Sequence, residues 1–251
     1  MAELKPAWIE GKVAANTHRT QNLFSLQIEA DVAPFKAGQY TSLAMNIDGE
    51  QVAQPYSILS APGERPLEFF FYTQLDGQLS ARLSALQVGD SVLVQQLPEG
   101  AFTLDSVPQG KDLWLLATGT GVAPFLSLLQ TAEVWERFEH VVLVYAVRQW
   151  NDIAYSEMID GFKKDYPGRF HFVPFVSREK VSDTIHGHIP ASISNGTIER
   201  VAGRTLSLED SQIMLCGNPG MVQDALVALE QKGFTRSVDG KSGQITLEAY
   251  W

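Results

Sequence analysis

The sequence predicts an antiparallel β-barrel over residues 1–106, followed by an α/β domain with a mostly parallel sheet over residues 107–251. Three observations predict this. The first hundred residues carry short runs in which apolar and polar residues alternate, separated by turn formers. The remainder alternates unbroken apolar runs with stretches of helical spacing, as expected of strands covered on both faces by helices. A chain of 251 residues is also long enough for two compact domains of ordinary size.

In the first half, Phe24, Leu26 and Ile28 alternate with polar residues, as on a half-buried strand. LEFFFYTQ (67–74) is short, aromatic and bounded by turn formers, and SVLVQQL (91–97) follows a Gly89-Asp90 turn. Further turns are placed at Pro34, Gly38, Asp48-Gly49 and Pro62-Gly63, and one short helix near Ser80–Leu86. Strands at this spacing suggest a closed or nearly closed antiparallel barrel.

The pattern changes after FTLDSVPQGKD (102–112), which places the domain boundary near residues 106–110. LWLLA (113–117), VVLVYAV (141–147), FHFVPFV (170–176) and QIMLC (212–216) read as buried strands. VAPFLSLLQTAEVW, IAYSEMIDGFKKDY and PGMVQDALVALEQKG read as the helices between and after them, the last with Pro219 near its start. No repeat or low-complexity stretch is visible.

Composition narrows the function classes. The net charge of -10 argues against nucleic-acid binding, which needs a basic face to neutralise phosphates. The basic groups are denser in the second part: residues 1–105 hold 6 basic and 12 acidic side chains, residues 106–251 hold 13 and 17. That distribution suits a domain holding a phosphorylated ligand, and equally a scatter of charges over a solvated surface. No run approaches a membrane-spanning length, and the first residues lack a basic–apolar–small export signal, so a cytoplasmic protein that engages no membrane is expected. The single cysteine, Cys216, excludes an internal disulfide and a cysteine-ligated iron–sulfur cluster within the chain.

Several segments carry chemistry. Thr118-Gly119-Thr120-Gly121 follows a strand and opens a helix, which suits either a tight structural turn or, through its free amides and glycines, an anionic ligand such as a pyrophosphate. Pro124 stands where the usual dinucleotide fingerprint has its third glycine. Cys216-Gly217-Asn218-Pro219 ends a later strand in the same way, on the side where a doubly wound sheet opens its ligand crevice. A buried cysteine there is by itself ordinary core filling. Gln54-Pro55-Tyr56-Ser57 and Gly77-Gln78-Leu79-Ser80 read locally as a turn and a helix cap. The terminal Glu248-Ala249-Tyr250-Trp251 ends in two large aromatics that either pack on the core or stack on a flat ligand.

In order and spacing, PYS (55–57), ATGTGVAPFLS (117–127), VSRE (176–179), CGNP (216–219) and the terminal EAYW resemble the ferredoxin/flavodoxin–NADP+ reductase family, in its compact bacterial branch. The resemblance covers essentially the whole chain. It implies an FAD-binding barrel followed by a Rossmann-like NADP(H)-binding domain whose aromatic tail returns to the flavin.

The resemblance also distributes roles. Tyr56 would stack on one flavin face and Ser57 would hydrogen-bond near flavin N5, while Gly77, Leu79 and Ser80 would cradle the FAD pyrophosphate, beside Gln54 and Pro55. Thr120 would reach the flavin as well. Tyr250 would cover the opposite flavin face as a gate and Trp251 would stack on adenine. Cys216 and Glu248 would stand beside the reacting centre. Gly119, Gly121, Cys216 and Gly217 would line the dinucleotide, with Arg148, Ser177, Arg178 and His188 on the side of the NADP 2′-phosphate, where a guanidinium offers charged donors in a fixed fork.

Two positions depart from the family pattern. Gln54 stands where an arginine usually contacts FAD phosphate, keeping donors but losing charge. In GHIP (187–190), His188 replaces the arginine of a Gly-Arg pair, and an ordinary imidazole is fully charged only at acidic pH. His186-x-His188 also reads as a weak metal pair with no carboxylate cluster beside it. The implied protein is a monomeric enzyme moving electrons between NADP(H) and a separate ferredoxin or flavodoxin. The same fold also serves reductase components of oxygenases and free-flavin reductases. Such carriers are usually acidic, so a basic docking patch and a salt-sensitive rate are expected.

Overall fold

A computed structural model of the chain describes residues 7–73, 78–238 and 243–249. The chain divides into two compact units, Met1–Thr103 with Leu126–Thr131, and Leu104–Phe125 with Ala132–Trp251.

The first unit is an antiparallel sheet. Its strands are β1 (Trp8–His18), β2 (Leu23–Glu29), β3 (Tyr40–Ile47), β4 (Glu50–Ser57), β5 (Leu67–Tyr72) and β6 (Ser91–Gln95), in the order β4-β3-β6-β1-β2-β5. The two outer strands meet: Ile58 bridges Phe69, and the Leu59 N–H donates to the Glu68 carbonyl at 2.8 Å. The sheet is thereby nearly closed, as a chain of short alternating strands predicts. Its interior holds Leu26, Ile28, Leu43, Leu67, Phe69 and Val94, all fully buried. Each such side chain contributes about 1.5–3 kcal/mol on burial. Asp48 and Gly49 make the β3–β4 hairpin with φ of 52° and 89°, the backbone that a two-residue turn between twisted strands requires. Helix α1 (Gln78–Ala85) lies against β2, β3 and β4.

One local expectation is corrected. Gln54–Ser57 forms the end of strand β4, not a turn. The strand EQVAQPYS is exposed over most of its length, so it lacks the apolar alternation that reveals a strand. Pro55 is tolerated because β4 is an outer strand of the sheet.

The second unit is a six-stranded parallel sheet of β7 (Asp112–Thr118), β8 (His140–Val147), β9 (Phe170–Val176), β10 (Ile185–His186), β11 (Ser211–Gly217) and β12 (Ile245–Ala249), ordered β10-β9-β8-β7-β11-β12. One face, with Trp114, Val142, Val173, Phe175 and Leu215, packs on Ile189 and Ile193 of α5 (Ile189–Ser194), Ile198 of α6 (Thr197–Ala202) and Leu229 of α7 (Pro219–Gln231). The other face carries α3 (Ala132–Arg137) and α4 (Ser156–Asp165). There Trp135 stacks on Tyr166 with ring centroids 3.5 Å apart and meets Phe170 edge-on at 6.1 Å.

Two predicted helices are shorter than their periodicity. VAPFLSLLQTAEVW divides into α2 (Ala123–Leu129) and α3, because the Gln130 and Thr131 side chains donate to the Leu126 and Leu128 carbonyls and close the first helix. In IAYSEMIDGFKKDY the helix starts only at Ser156, after Tyr155 turns the chain with φ of 61°. Among the described residues, no helix is long and apolar enough to cross a membrane.

Candidate functional site

In the first unit, the β-barrel gathers Gln54, Pro55, Tyr56 and Ser57 at the end of β4, beside Leu79 and Ser80 in the first turn of α1. Tyr56 is half-buried. Its ring meets Phe71 edge-on at 5.6 Å, Phe71 in turn stacks on Phe24, and its hydroxyl is 3.3 Å from Gln54 Oε1. Burial pushes the Tyr56 phenol above its ordinary range, so it is a neutral ring at any physiological pH. Ser57 and Ser80 are both buried. A neutral aromatic held from one edge, with hydroxyls and a helix start beside it, fits the stacking and hydrogen-bonding needs of a flavin. Gln54 is exposed, as a residue serving a bound phosphate would be.

In the second unit, the predicted dinucleotide residues lie at carboxyl ends of adjacent strands. Thr118 ends β7, and a 3-10 turn over Gly119–Val122 leads into α2. Cys216 and Gly217 end β11, with Cys216 opposite Ala117 of β7 on one side and Glu248 of β12 on the other. The two turns are locked together: the Asn218 N–H donates to Thr118 Oγ1 at 3.0 Å. Asn218 also caps α7, accepting from the Gly220 and Met221 N–H groups at 3.0 and 3.3 Å.

The glycines divide by what surrounds them. Gly217 has φ of +135°, and a Cβ there would collide with Thr118 Oγ1; one on Gly121 would stand 2.6–2.7 Å from the Cys216 and Gly217 backbone. These two serve the protein's own packing. Gly119, with φ of +53°, has nothing within 4 Å of where a Cβ would stand, so the backbone there is open to close approach. A pyrophosphate fits a site of that kind.

Cys216 is fully buried, so the structure displays no direct approach of its thiol to a ligand. Glu248 is partly exposed. Arg148 follows β8, Ser177 and Arg178 follow β9, and both arginines are exposed. The loops are neighbours, since the Ser177 N–H donates to the Val147 carbonyl at 3.1 Å and the Arg178 N–H to the Arg148 carbonyl at 2.9 Å. His188, exposed, is the N-cap position of α5 after β10 and makes no side-chain cap bond. Gly77, Tyr250 and Trp251, to which the resemblance gave roles, lie outside the described residues.

Sequence reasoning assigns no role to Thr118 or Asn218. The Asn-Pro pair at 218–219, an N-cap followed by an N1 proline, carries a signal for the second. Thr118 has none, because its partner lies a hundred residues away.

Two halves of this kind define a class, that of flavin- and nicotinamide-dinucleotide oxidoreductases. Residues 10–103 match the oxidoreductase FAD-binding domain and residues 115–226 the oxidoreductase NAD-binding domain. The flavodoxin/ferredoxin–NADP reductase of Escherichia coli is 42% identical over 245 residues, covering 97% of this chain and 99% of that protein. The ferredoxin–NADP reductase of Azotobacter vinelandii is 32% identical, covering 93% and 92%. The crystal structure of a ferredoxin NADP+ reductase from Neisseria gonorrhoeae with bound FAD and NADP superposes with a TM-score of 0.92 at 30% identity, covering 98% of this chain and 99% of that one. The chain belongs to the flavodoxin/ferredoxin–NADP reductase family.

Proposed function

We propose that this chain is an FAD-dependent reductase that exchanges hydride with NADP(H) and passes single electrons to a ferredoxin or flavodoxin. The observation that carries the proposal is kinship with reductases of that name along the full chain, through both units. Bound FAD supplies the change from two-electron to one-electron chemistry, and the protein supplies placement and electrostatics.

Tyr56 offers a ring to stack on, and the Ser57 hydroxyl serves the N5 edge. Leu79 and Ser80, with Gly77, hold the FAD phosphates; Gln54 and Pro55 flank them. On the parallel sheet, the open backbone at Gly119 meets the dinucleotide pyrophosphate, Gly121 and Gly217 let the two turns that line it pack together, and Arg148, Ser177 and Arg178 take the 2′-phosphate, with His188 nearby. Thr120, Tyr250 and Trp251 complete the flavin environment, and Cys216 and Glu248 position the nicotinamide. Cys216→Ser tests the last role: kcat should fall several-fold with FAD retention kept, and an unaltered kcat removes it.

The purified protein should show a flavin spectrum that bleaches on anaerobic titration with NADPH and less readily with NADH. Colourless protein that takes up no FAD sinks the proposal. Reduction of isolated ferredoxin or flavodoxin should slow as ionic strength rises, reflecting docking of an acidic carrier on a basic patch. Preference for free flavin or an oxygenase component as acceptor would shift the assignment within the family. We also propose that the enzyme acts as a monomer in the cytoplasm. Light scattering that gives a dimer mass overturns the first part, and fractionation into an exported compartment the second.

A further inference from the structure

Beyond β8 and β9, main-chain bonds pair the loops only as far as Arg148 and Arg178, and side chains brace them further out. The Glu179 carboxylate accepts the Trp150 N–H from the loop after β8. In that loop the Gln149 N–H donates to Asp152 Oδ2 at 3.1 Å and the Asp152 N–H to the Gln149 carbonyl at 2.9 Å. On the far side, His186 of β10 places Nδ1 3.1 Å from the Val176 carbonyl oxygen and 3.0 Å from that of Glu179. Carbonyl oxygens only accept, so Nδ1 carries the hydrogen and donates to both. Glu179 is thus held at each end, its carboxylate by the loop after β8 and its carbonyl by the imidazole of β10.

We propose that Glu179 and His186 are positioning residues, a strap across the loops after β8 and β9 that fixes the spacing of Arg148 and Arg178 and so sets discrimination in favour of nucleotides bearing a 2′-phosphate. The inference rests on the assignment of those arginines to the 2′-phosphate. Two guanidiniums serving one phosphate repel each other when it is absent, and a site made on loops holds their geometry only if something braces the loops. Glu179 follows Arg178 directly, and a loose carboxylate there would compete with phosphate for the guanidinium. Its bond to the Trp150 N–H turns a competitor into a support. The same bonds give His186 a structural duty that needs no metal, which separates it from His188.

The test uses the FAD-loaded enzyme and calorimetric binding of 2′-phospho-AMP and of AMP. Glu179→Ala should weaken 2′-phospho-AMP about tenfold and AMP less than about twofold, the scale expected when a charge-assisted bond that orders a site is lost. Glu179→Gln keeps an acceptor oxygen and should stay within about threefold of the parent. His186→Ala should weaken 2′-phospho-AMP, and His186→Asn, whose amide N–H can stand where Nδ1 stood, should restore much of it. The Trp150 amide resonance should move in Glu179→Ala and not in His186→Asn. The strap is overturned if Glu179→Ala binds 2′-phospho-AMP as well as the parent or more tightly, or loses both nucleotides equally. Should Glu179→Ala not fold, His186→Ala against His186→Asn decides the matter, and equal affinities of those two overturn the strap. A parent enzyme that binds the two nucleotides alike sinks the 2′-phosphate assignment and the strap together. A parent that prefers 2′-phospho-AMP beside an unaffected Glu179→Ala sinks the strap alone.

Discussion

Gly121 lies directly against the backbone of Gly217: a Cβ on Gly121 would stand 2.7 Å from the Gly217 Cα and 2.6 Å from the Cys216 carbonyl oxygen. The obstacle is main chain, which cannot rotate away as a side chain can. Gly121→Ala should therefore cost about 1–3 kcal/mol of stability, as overpacking does. Gly119→Ala meets open space and should cost about 1 kcal/mol through its left-handed backbone alone, while raising the dinucleotide KM. Thermal unfolding with steady-state kinetics separates the two, and a Gly121→Ala protein as stable as the parent refutes the packing role.

Asn218 joins two elements, since its N–H bonds to Thr118 while its side chain caps α7. Asn218→Ala should lose about 1 kcal/mol from the cap, and Asn218→Asp, which keeps the acceptor, should retain it. Thr118→Val removes the acceptor for the Asn218 N–H and leaves the cap. Equal stability of Asn218→Ala and Asn218→Asp would count against the cap as the source.

Much of this was legible in the sequence, and the exceptions have physical causes. The four central strands of the parallel sheet, β7, β8, β9 and β11, announced themselves because both faces are buried and the apolar runs are unbroken. The outer strands β10 and β12 are short and partly exposed and were not read. The site segments at the ends of β7 and β11 were legible because glycine and proline mark turns. Strand β4 was not, since it is exposed and held by pairing with β3 along its length. Strand β1, with Gly11 and Asn16 inside it, depends on partners on both sides, β2 and β6. The separate purposes of Gly119, Gly121 and Gly217 could not be told from composition, because the reason for two of them lies in residues about a hundred positions away.

Tyr56 is the one described aromatic at the flavin position proposed here. Tyr56→Leu keeps an apolar side chain and removes the flat ring, so FAD should wash out on desalting more readily than from the parent. The loss is worth about 1 kcal/mol of stacking, or several-fold in affinity. Tyr56→Phe should behave nearly as the parent, because the hydroxyl contact to Gln54 is long at 3.3 Å. Equal FAD retention in Tyr56→Leu would remove the stacking role.

At the amino ends of β7–β9, away from the proposed ligand residues of the same unit, His171 meets His140 with ring centroids 5.7 Å apart, near the Arg204–Asp112 ion pair of 2.8 Å. Desolvation, then the neighbouring His140 and Arg204, lowers the His171 pKa; a bond to the Gly168 carbonyl and the Asp112 charge oppose the shift. Above an unfolded imidazole pKa of about 6.5 both states are neutral and His171 contributes no pH dependence. Below it, the unfolded chain takes up a proton that the folded chain resists, so stability falls as pH drops from about 6.5 toward the lower folded value. His171→Gln should flatten that limb. Denaturant titrations between about pH 5 and 7 measure it, and an unchanged slope removes His171 as the source.

Arg178 offers the sharpest test of dinucleotide preference, because its side chain is exposed while its N–H pairs with the Arg148 carbonyl, so truncating the side chain leaves that backbone bond in place. Arg178→Ala should leave the fold intact and raise the NADPH KM about tenfold or more, with the NADH KM changed less than about threefold. Since the 2′-phosphate lies far from the transferred hydride, kcat at saturating NADPH should hold within about twofold. Arg178→Lys restores charge without the planar fork and should fall between. If Arg178→Ala raises both Michaelis constants equally, the guanidinium serves a part of the dinucleotide common to both, and the 2′-phosphate contact passes to Arg148 and His188.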